Sequence, residues 1–525
     1  RDPEMSRGLG DVYKRQIWDN IVNYTWKKSV HSITATGVFS AQKYQYDRLY
    51  GASKDLSFNS LWYNLNGGAI ESLTSNFSQW TMMSYVGRIN YGLMDRYLLT
   101  ASLRYDGSSR LSEGNKWALF PSAAIAWRIT EEDFAKNLDW LSNLKLRFSY
   151  GQAGNTNSVS PYASEGTISG SVYYPFGTST SVGNLPANIA NPMLTWERTS
   201  EYNVGLDFGF LNQRISGNIE YYNRTTNDLL MKRNIPVHLG YSSVTSNVGS
   251  VRNSGFELQL NTANIMTKNF AWNTTINLAY NKNEIVSLAD EEDLSNYSIH
   301  LQGMRGRYSD KRFIGKPVDT NWTQNTIGVW QLGEEEEAAK YGCVPGNFKI
   351  KDYNNDGKLT DDDYIIDGKR TPDWTGGMTN MFKIYDFDFS FHMYFQAGAT
   401  QYDRFFENFA LEWNSQNFNN LRTNYWTPEN PSNTMGRPSQ MGSRGNIAYE
   451  KTDFLKVSYI TLGYTLNKRL MSKWGLDNAR IYVTVQNPFI LTKFRGLDPE
   501  QPDLTNIGDT DGMTMNALLG VNISF

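Results

Sequence analysis

Along most of this chain apolar and polar residues alternate one by one, a period that only an extended strand can sort onto two faces. In "YNVGLDFGF", Tyr202, Val204, Leu206, Phe208 and Phe210 share one side, and Asn203, Gly205, Asp207 and Gly209 share the other. In "FDFSFHMYF", Phe387, Phe389, Phe391, Met393 and Phe395 alternate with Asp388, Ser390, His392 and Tyr394. "WNTTINLAY" sets Trp272, Thr274, Ile276, Leu278 and Tyr280 against Asn273, Thr275, Asn277 and Ala279. One such segment would suit a half-buried strand of a soluble sandwich. The connections discriminate. The pattern predicts about fifteen strands from residue 18 onward. Brief turns at 385–386, 211–213, 266–268 and 93–96 alternate strictly with long loops such as 154–195, 287–374 and 401–453. A sandwich has no reason for that asymmetry. A transmembrane antiparallel β-barrel has one, with short turns at one rim and long loops at the other, so the expected fold class is all-β.

Composition agrees. Of 525 residues, 14% are aromatic, with 32 Tyr, 26 Phe and 15 Trp, enough to furnish rings at both edges of a membrane layer. Mean hydropathy is −0.53 and no stretch approaches the ~18 apolar residues of a spanning helix, which leaves spanning strands open because they need only every second residue apolar. The 50 basic and 53 acidic residues nearly cancel, so no bulk field points to nucleic acid. The single cysteine, Cys343, excludes an intramolecular disulfide framework and a Cys-based zinc site.

The predicted strands exceed the ~9–11 residues that cross a bilayer, and many carry rings near their ends. The last, "MTMNALLGVNISF", aligns Met515, Ala517, Leu519, Val521, Ile523 and Phe525, and the terminal Phe525 reads as a signal for barrel-insertion machinery. Residues 1–16 show neither alternation nor aromatic content, resemble an adaptor-like translated end, and are expected to lie outside the native protein. Single-chain bacterial barrels usually have an even strand number. The odd count and the absence of an export signal lead to the expectation that an N-terminal part precedes residue 17.

Several stretches together resemble the C-terminal barrel of the SusC/RagA family of TonB-dependent outer-membrane transporters: residues 102–134, "LKLRFSYGQAGN" at 144–155, 194–230, "VGSVRNSGFELQLN" at 248–261, 351–382, "GLDPE" at 496–500 and the final strand. They cover nearly all of the chain after Gln16. The resemblance implies a barrel of about 22 strands with an N-terminal plug missing from this chain. It also implies a SusD-like surface lipoprotein as lid, energy from the inner-membrane TonB complex, and import of oligosaccharides or, in the RagA branch, peptides. A passive porin or a surface adhesin on the same barrel is the competing class.

One motif asks for a metal. "DYNNDGKLTDDD" offers Asp352, Asn354, Asp356, the Lys358 carbonyl, Thr360 and Asp363 at the spacing of a Ca²⁺ loop, with Gly357 for the turn. No helical pattern flanks it, so it is either a structural calcium staple within a long loop or a solvated acidic turn. The loop aromatics Trp322, Trp330, Tyr402, Trp413 and Trp426 are candidate substrate contacts, since flat rings stack on sugars and grip peptide side chains; packing within the loops is the alternative. Arg305, Arg307, Lys311 and Arg312 would face lipopolysaccharide, an acidic substrate or solvent, and 334–337 reads as a solvated helical turn. His31, His238, His300 and His392 are too scattered for a two-histidine metal motif, and neither a phosphate-binding glycine loop nor a nucleophile elbow is found, so no enzyme is expected.

Overall fold

The structure is a computed structural model that describes residues 5–56, 58, 64–235, 238, 240–241, 243–411, 423–438, 443–467, 471, 475–502 and 513–525. Fifteen long strands form one antiparallel sheet in which the order in space is the order in sequence. They are β1 (Met5–Lys28), β2 (His31–Lys54), β3 (Ala69–Leu93), β4 (Tyr97–Ser108), β5 (Trp117–Arg128), β6 (Leu141–Asn155), β7 (Glu197–Phe210) and β8 (Ile215–Asn227). The series continues with β9 (Ser250–Met266), β10 (Phe270–Ser287), β11 (Trp374–Ile384), β12 (Phe387–Ala397), β13 (Phe454–Thr465), β14 (Asn478–Thr492) and β15 (Asn516–Ser524).

All fifteen predicted strands are present, and most boundaries fall within a few residues of the alternation that announced them. β1 and β3 are longer than alternation alone indicated. Met5–Lys28 pairs without interruption with His31–Lys54, so the change of composition at Gln16 marks no break in the backbone. Likewise Ala69–Gln79 pairs with Gln45–Lys54. Backbone ladders need no apolar face, so pairing continues where the pattern stops. The strict alternation of connection lengths fails at two places. Residues 129–140 and 466–477, on the short-turn side, are as long as or longer than 109–116 on the other. The tightest turns rest on residues held at positive φ, among them Met94 and Asp95 (56° and 53°) and Tyr385 (54°), as hairpin twist requires.

The chain divides into two compact units. In the first (Arg1–Trp127, Arg147–Tyr202, Arg224–Ser250), a buried cluster of Leu111, Phe120, Val159, Leu194, Trp196 and Leu230 anchors the loops. Trp196 meets Phe120 edge-on at 5.4 Å and donates its Nε1–H to the Lys116 carbonyl at 2.9 Å. Gly154 has to be glycine there, because a Cβ would lie 2.2 Å from the Phe120 ring.

The second unit (Arg128–Leu146, Asn203–Asn223, Val251–Phe525) carries two aromatic belts on the apolar face of its strands. Tyr280 and Trp374 pair near the long-loop end with rings 4.9 Å apart, joined by Phe256 at 5.4 Å from Trp374. Trp272 and Phe382 pair near the short-turn end at 5.5 Å. From 272 to 280 is eight residues, roughly 27 Å of strand, the scale of a hydrocarbon layer. Near the short-turn end the Arg480 guanidinium from β14 forks onto both oxygens of Asp388 from β12, its Nε–H at 2.8 Å. The pair arches over Gly463 of the intervening β13, where a Cβ would lie 2.5 Å from both partners. Phe525 follows the last strand and is 89% exposed.

Gly463→Val is expected to separate the fork and destabilise the sheet by ~1–3 kcal/mol, the usual cost of overpacking. Denaturation in detergent checks it, and the cost should shrink in an Asp388→Ala background because the two changes act on one contact.

Candidate functional site

The second unit holds two structures at which ligands can act: a folded cap of long loops and a polar wall on the strands.

The cap is made by residues 288–373 and 398–453, whose short strands pair locally, 320–324 with 364–369 and 400–402 with 449–451. Their apolar side chains gather in three clusters. Val329, Phe348, Ile350, Phe406, Trp426 and Met435 form the largest; Leu294, Leu301, Tyr308 and Phe313 form a second; Trp330, Ala338 and Cys343 form a third. These clusters absorb the rings expected to meet substrate. Trp426 is buried and donates its Nε1–H to Gln331 at 3.0 Å. Trp330 is buried, stacked 5.9 Å from Tyr341, with the Lys349 ammonium 4.1 Å above its ring. Trp322 lies between Phe313 at 5.1 Å and Tyr364 at 5.8 Å, and Tyr402 meets Tyr449 edge-on at 5.0 Å. The substrate-contact expectation is therefore corrected for these four: their ring faces are used in packing, because removing that much apolar area from water outweighs holding it open. Trp413 lies outside the described residues.

The basic run is paired internally. Arg305 meets Glu291 at 3.1 Å, Arg307 meets Asp310, Arg312 donates to the Val318 carbonyl, and the Lys311 ammonium sits 3.3 Å over the Tyr308 ring. In the acidic run, Glu335–Lys340 is a short helix, and Glu334 is fixed by Lys349 at 2.8 Å.

The 352–363 loop is closed by hydrogen bonds. Asp352 accepts from the backbone N–H of Asn355 (2.6 Å) and Gly357 (3.0 Å) and from the Tyr341 hydroxyl (3.0 Å). Burial opposes the charge, yet these donors hold its carboxyl below the usual range, while burial and Asp352 push the Tyr341 hydroxyl up to about 12. Asn354 accepts from Asp356 N–H at 3.1 Å and Asp356 from Lys358 N–H at 2.8 Å. Asp363 is fully buried, one oxygen taking Tyr353 N–H (2.8 Å) and the other Thr360 N–H (2.9 Å). Thr360 caps the turn that follows. Asn355 and Gly357 take the positive φ (56° and 77°) that the tight winding needs. Among the described residues, no group of three or more acidic, His or Cys side chains converges as a metal cage.

The polar wall belongs to β8–β12. Asn218, Glu220, Glu257, Gln259, Asn277 and Tyr394 line a cavity of about 440 Å³, floored by Gly376 and Gly377. A Cβ on Gly377 would lie 3.0 Å from His392, so glycine keeps that floor low. Above it runs a ladder of amides and hydroxyls. Tyr222 donates to Asn281 at 3.0 Å, Asn283 to Asn253 at 2.9 Å, and Thr275 to Asn261 at 3.0 Å. His392 is held by Thr379 at 2.9 Å and stacks on Tyr459. Alternation had already placed Asn277, His392 and Tyr394 on the polar side, but which strands lie together is a matter of register.

A long antiparallel sheet with ring-edged apolar and amide-lined polar faces, and with its loops at one end, defines an outer-membrane β-barrel protein. The family profile described as "TonB dependent receptor-like, beta-barrel" matches residues 6–375. The chain is 32% identical over 534 residues to TonB-dependent receptor P26 of Formosa agariphila, covering 97% of this chain and 53% of that protein. It is 35% identical over 457 residues to TonB-dependent receptor SusC of Bacteroides thetaiotaomicron, covering 85% of this chain and 44% of that one. In fold it matches the solved RagAB peptide transporter with a TM-score of 0.81 at 24% identity, over 99% of this chain and 56% of that chain. The chain belongs to the TonB-dependent receptor β-barrel family, whose SusC and RagA members are outer-membrane proteins, and spans about half the length of the curated relatives it matches.

One cap residue predicts a pH response. Asp403 is fully buried; one oxygen accepts Phe406 N–H at 2.9 Å and the other has no partner among the described residues. Burial first, then nearby Glu450, push its carboxyl up to about 6, against the pull of Arg495 and backbone donors. A folded value above the unfolded one favours the fold at low pH, so this contribution is lost as pH rises from about 4 through about 6, at a cost of ~3 kcal/mol by neutrality. Protease cleavage of 398–453 is expected to increase over that interval, and Asp403→Asn should flatten the profile.

Proposed function

We propose that this chain is the C-terminal barrel portion of a SusC-like TonB-dependent importer that takes up oligosaccharides with a SusD-like surface lipoprotein. The observation that carries the reading is the identity to SusC over 85% of the chain. The polar wall supports it, because amides and hydroxyls with few charges suit a neutral, hydroxyl-rich cargo that exchanges many modest hydrogen bonds. Cargo is captured under the lipoprotein, the TonB complex moves a plug domain, and passage follows the wall. No covalent step is involved. Phe525 serves in this reading as the assembly signal.

In cells carrying the intact receptor, replacing two wall amides, Gln259→Leu with Asn277→Leu, is expected to lower oligosaccharide uptake several-fold while the barrel still assembles. Removal of TonB should abolish uptake. Peptide uptake in place of oligosaccharide would move the assignment to a RagA-type importer, and uptake that survives loss of TonB would move it to a passive porin.

Calcium belongs to the same proposal. The N–H donors that fix Asp352, Asn354 and Asp356 aim these side chains as a calcium turn does, whereas Asp363 spends both oxygens on the backbone. Titration with Ca²⁺ is expected to increase protection of 345–372 from protease, with Asp352→Ala plus Asp356→Ala abolishing the increase. Equal protection in chelator and in calcium would leave a loop closed by hydrogen bonds alone.

A further inference from the structure

Past the aromatic belt at the long-loop end, the apolar face of the second unit has a groove that neither cargo nor fold explains. β12, β13 and β14 bring Phe395, Leu455 and Leu491 into one row: Phe395 pairs with Leu455, and Leu455 with Leu491. Leu491 is 61% exposed. This row lines a cavity of about 980 Å³ whose rim carries Lys451, Asp453 and Lys493. Asp453 accepts Gly398 N–H at 2.7 Å, and neither lysine has a carboxylate partner among the described residues. The height of the rim follows from register. Trp374 of the belt pairs with Ala397, the residue beside the groove's upper end, so both ammonium groups stand just beyond the apolar layer.

We propose that this groove binds a phosphorylated, acylated lipid of the surrounding outer leaflet, an acyl chain lying along Phe395, Leu455 and Leu491 and the phosphate between Lys451 and Lys493. Chemistry on both sides fits. A lipid-facing row of large apolar side chains ending in uncompensated cations is complementary to a molecule whose chain ends in an anionic head group. A buried cavity would have filled with protein; this one opens onto the face the membrane covers. A second cationic edge lies at the same level on β9 and β10, where Glu284 takes Arg252 at 3.0 Å and Lys282 at 2.8 Å just past Phe256 and Tyr280. That edge is partly neutralised, which makes it the internal comparison. The inference rests on reading the chain as an outer-membrane barrel and is independent of the cargo.

The experiment is native mass spectrometry of the intact receptor, extracted in detergent from its outer membrane, with monophosphoryl lipid A, its dephosphorylated form and inorganic phosphate as probes. The wild-type receptor is expected to retain monophosphoryl lipid A roughly tenfold or more strongly than the Lys451→Ala plus Lys493→Ala variant, about what two surface cations contribute. Lys451→Arg plus Lys493→Arg, which keeps the charge, should restore retention and so separates head-group binding from misfolding. Arg252→Ala should change it little. Equal retention by the alanine variant, equal retention of the dephosphorylated lipid, or displacement by inorganic phosphate alone would overturn the proposal. A receptor absent from the outer-membrane fraction would instead refute the barrel reading, and transport assays report on the cargo separately.

Discussion

A backbone amide in hydrocarbon has no water to turn to, and that single fact organises this chain. Each spanning segment must pair its N–H and C=O groups with a neighbour, which a sheet of consecutive antiparallel strands achieves at the lowest loop cost. Once pairing is fixed, parity fixes the side chains. In β10, Trp272, Ile276, Leu278 and Tyr280 go to the apolar face, and Thr275, Asn277 and Asn281 to the polar one. Belts, amide ladder and lipid-facing groove are all consequences of this register.

The loops obey a different rule. Outside the membrane layer a long segment can be solvated, yet 288–373 and 398–453 bury Phe313, Phe348, Trp330 and Trp426 in small cores of their own. Burial of rings on this scale offsets the ordering of a long loop, which isolated turns could not do. The cap is a built object whose weak points are polar: the unpartnered oxygen of Asp403, and a 352–363 loop that depends on every donor reaching its carboxylate. A cap held by rings and relaxed at a few carboxylates can keep its shape and still respond to pH.

These rules explain what could be seen in the sequence. Period two is a local signal, so β7, β10 and β12 were readable from nine residues each, and the order of strands followed because adjacent strands are sequence neighbours. Three things were not readable. Pairing beyond the membrane layer carries no pattern, which hid the first part of β1 and of β3. A tryptophan in a loop looks the same whether it packs or binds, so the fates of Trp330 and Trp426 needed three-dimensional neighbours. The polar wall draws on five strands between Asn218 and Tyr394, and only register shows that Glu220, Gln259 and Asn277 share a cavity. The oxygen spacing of 352–363 was plain, but the engagement of Asp363 by Tyr353 and Thr360 was not, because backbone donors leave no mark in sequence.

Parity also separates the roles that a substitution can touch. Odd positions of β10 to β11 face the wall and even ones face lipid, so cargo preference can drift through Asn277 or Thr375 without disturbing the belts at Tyr280 and Trp374. Glycines are where the two faces constrain each other. Gly376 lets the Phe395 ring lie against β11 on the apolar side, where a Cβ would sit 2.4 Å from it, and Gly377 keeps the wall cavity open beside His392. A side chain at either position would fill space that the other face needs, since the strand would have to shift to admit it. The wall is therefore free to change its amides and hydroxyls while its floor is held by packing on the membrane side, and selectivity can vary on a barrel that stays the same.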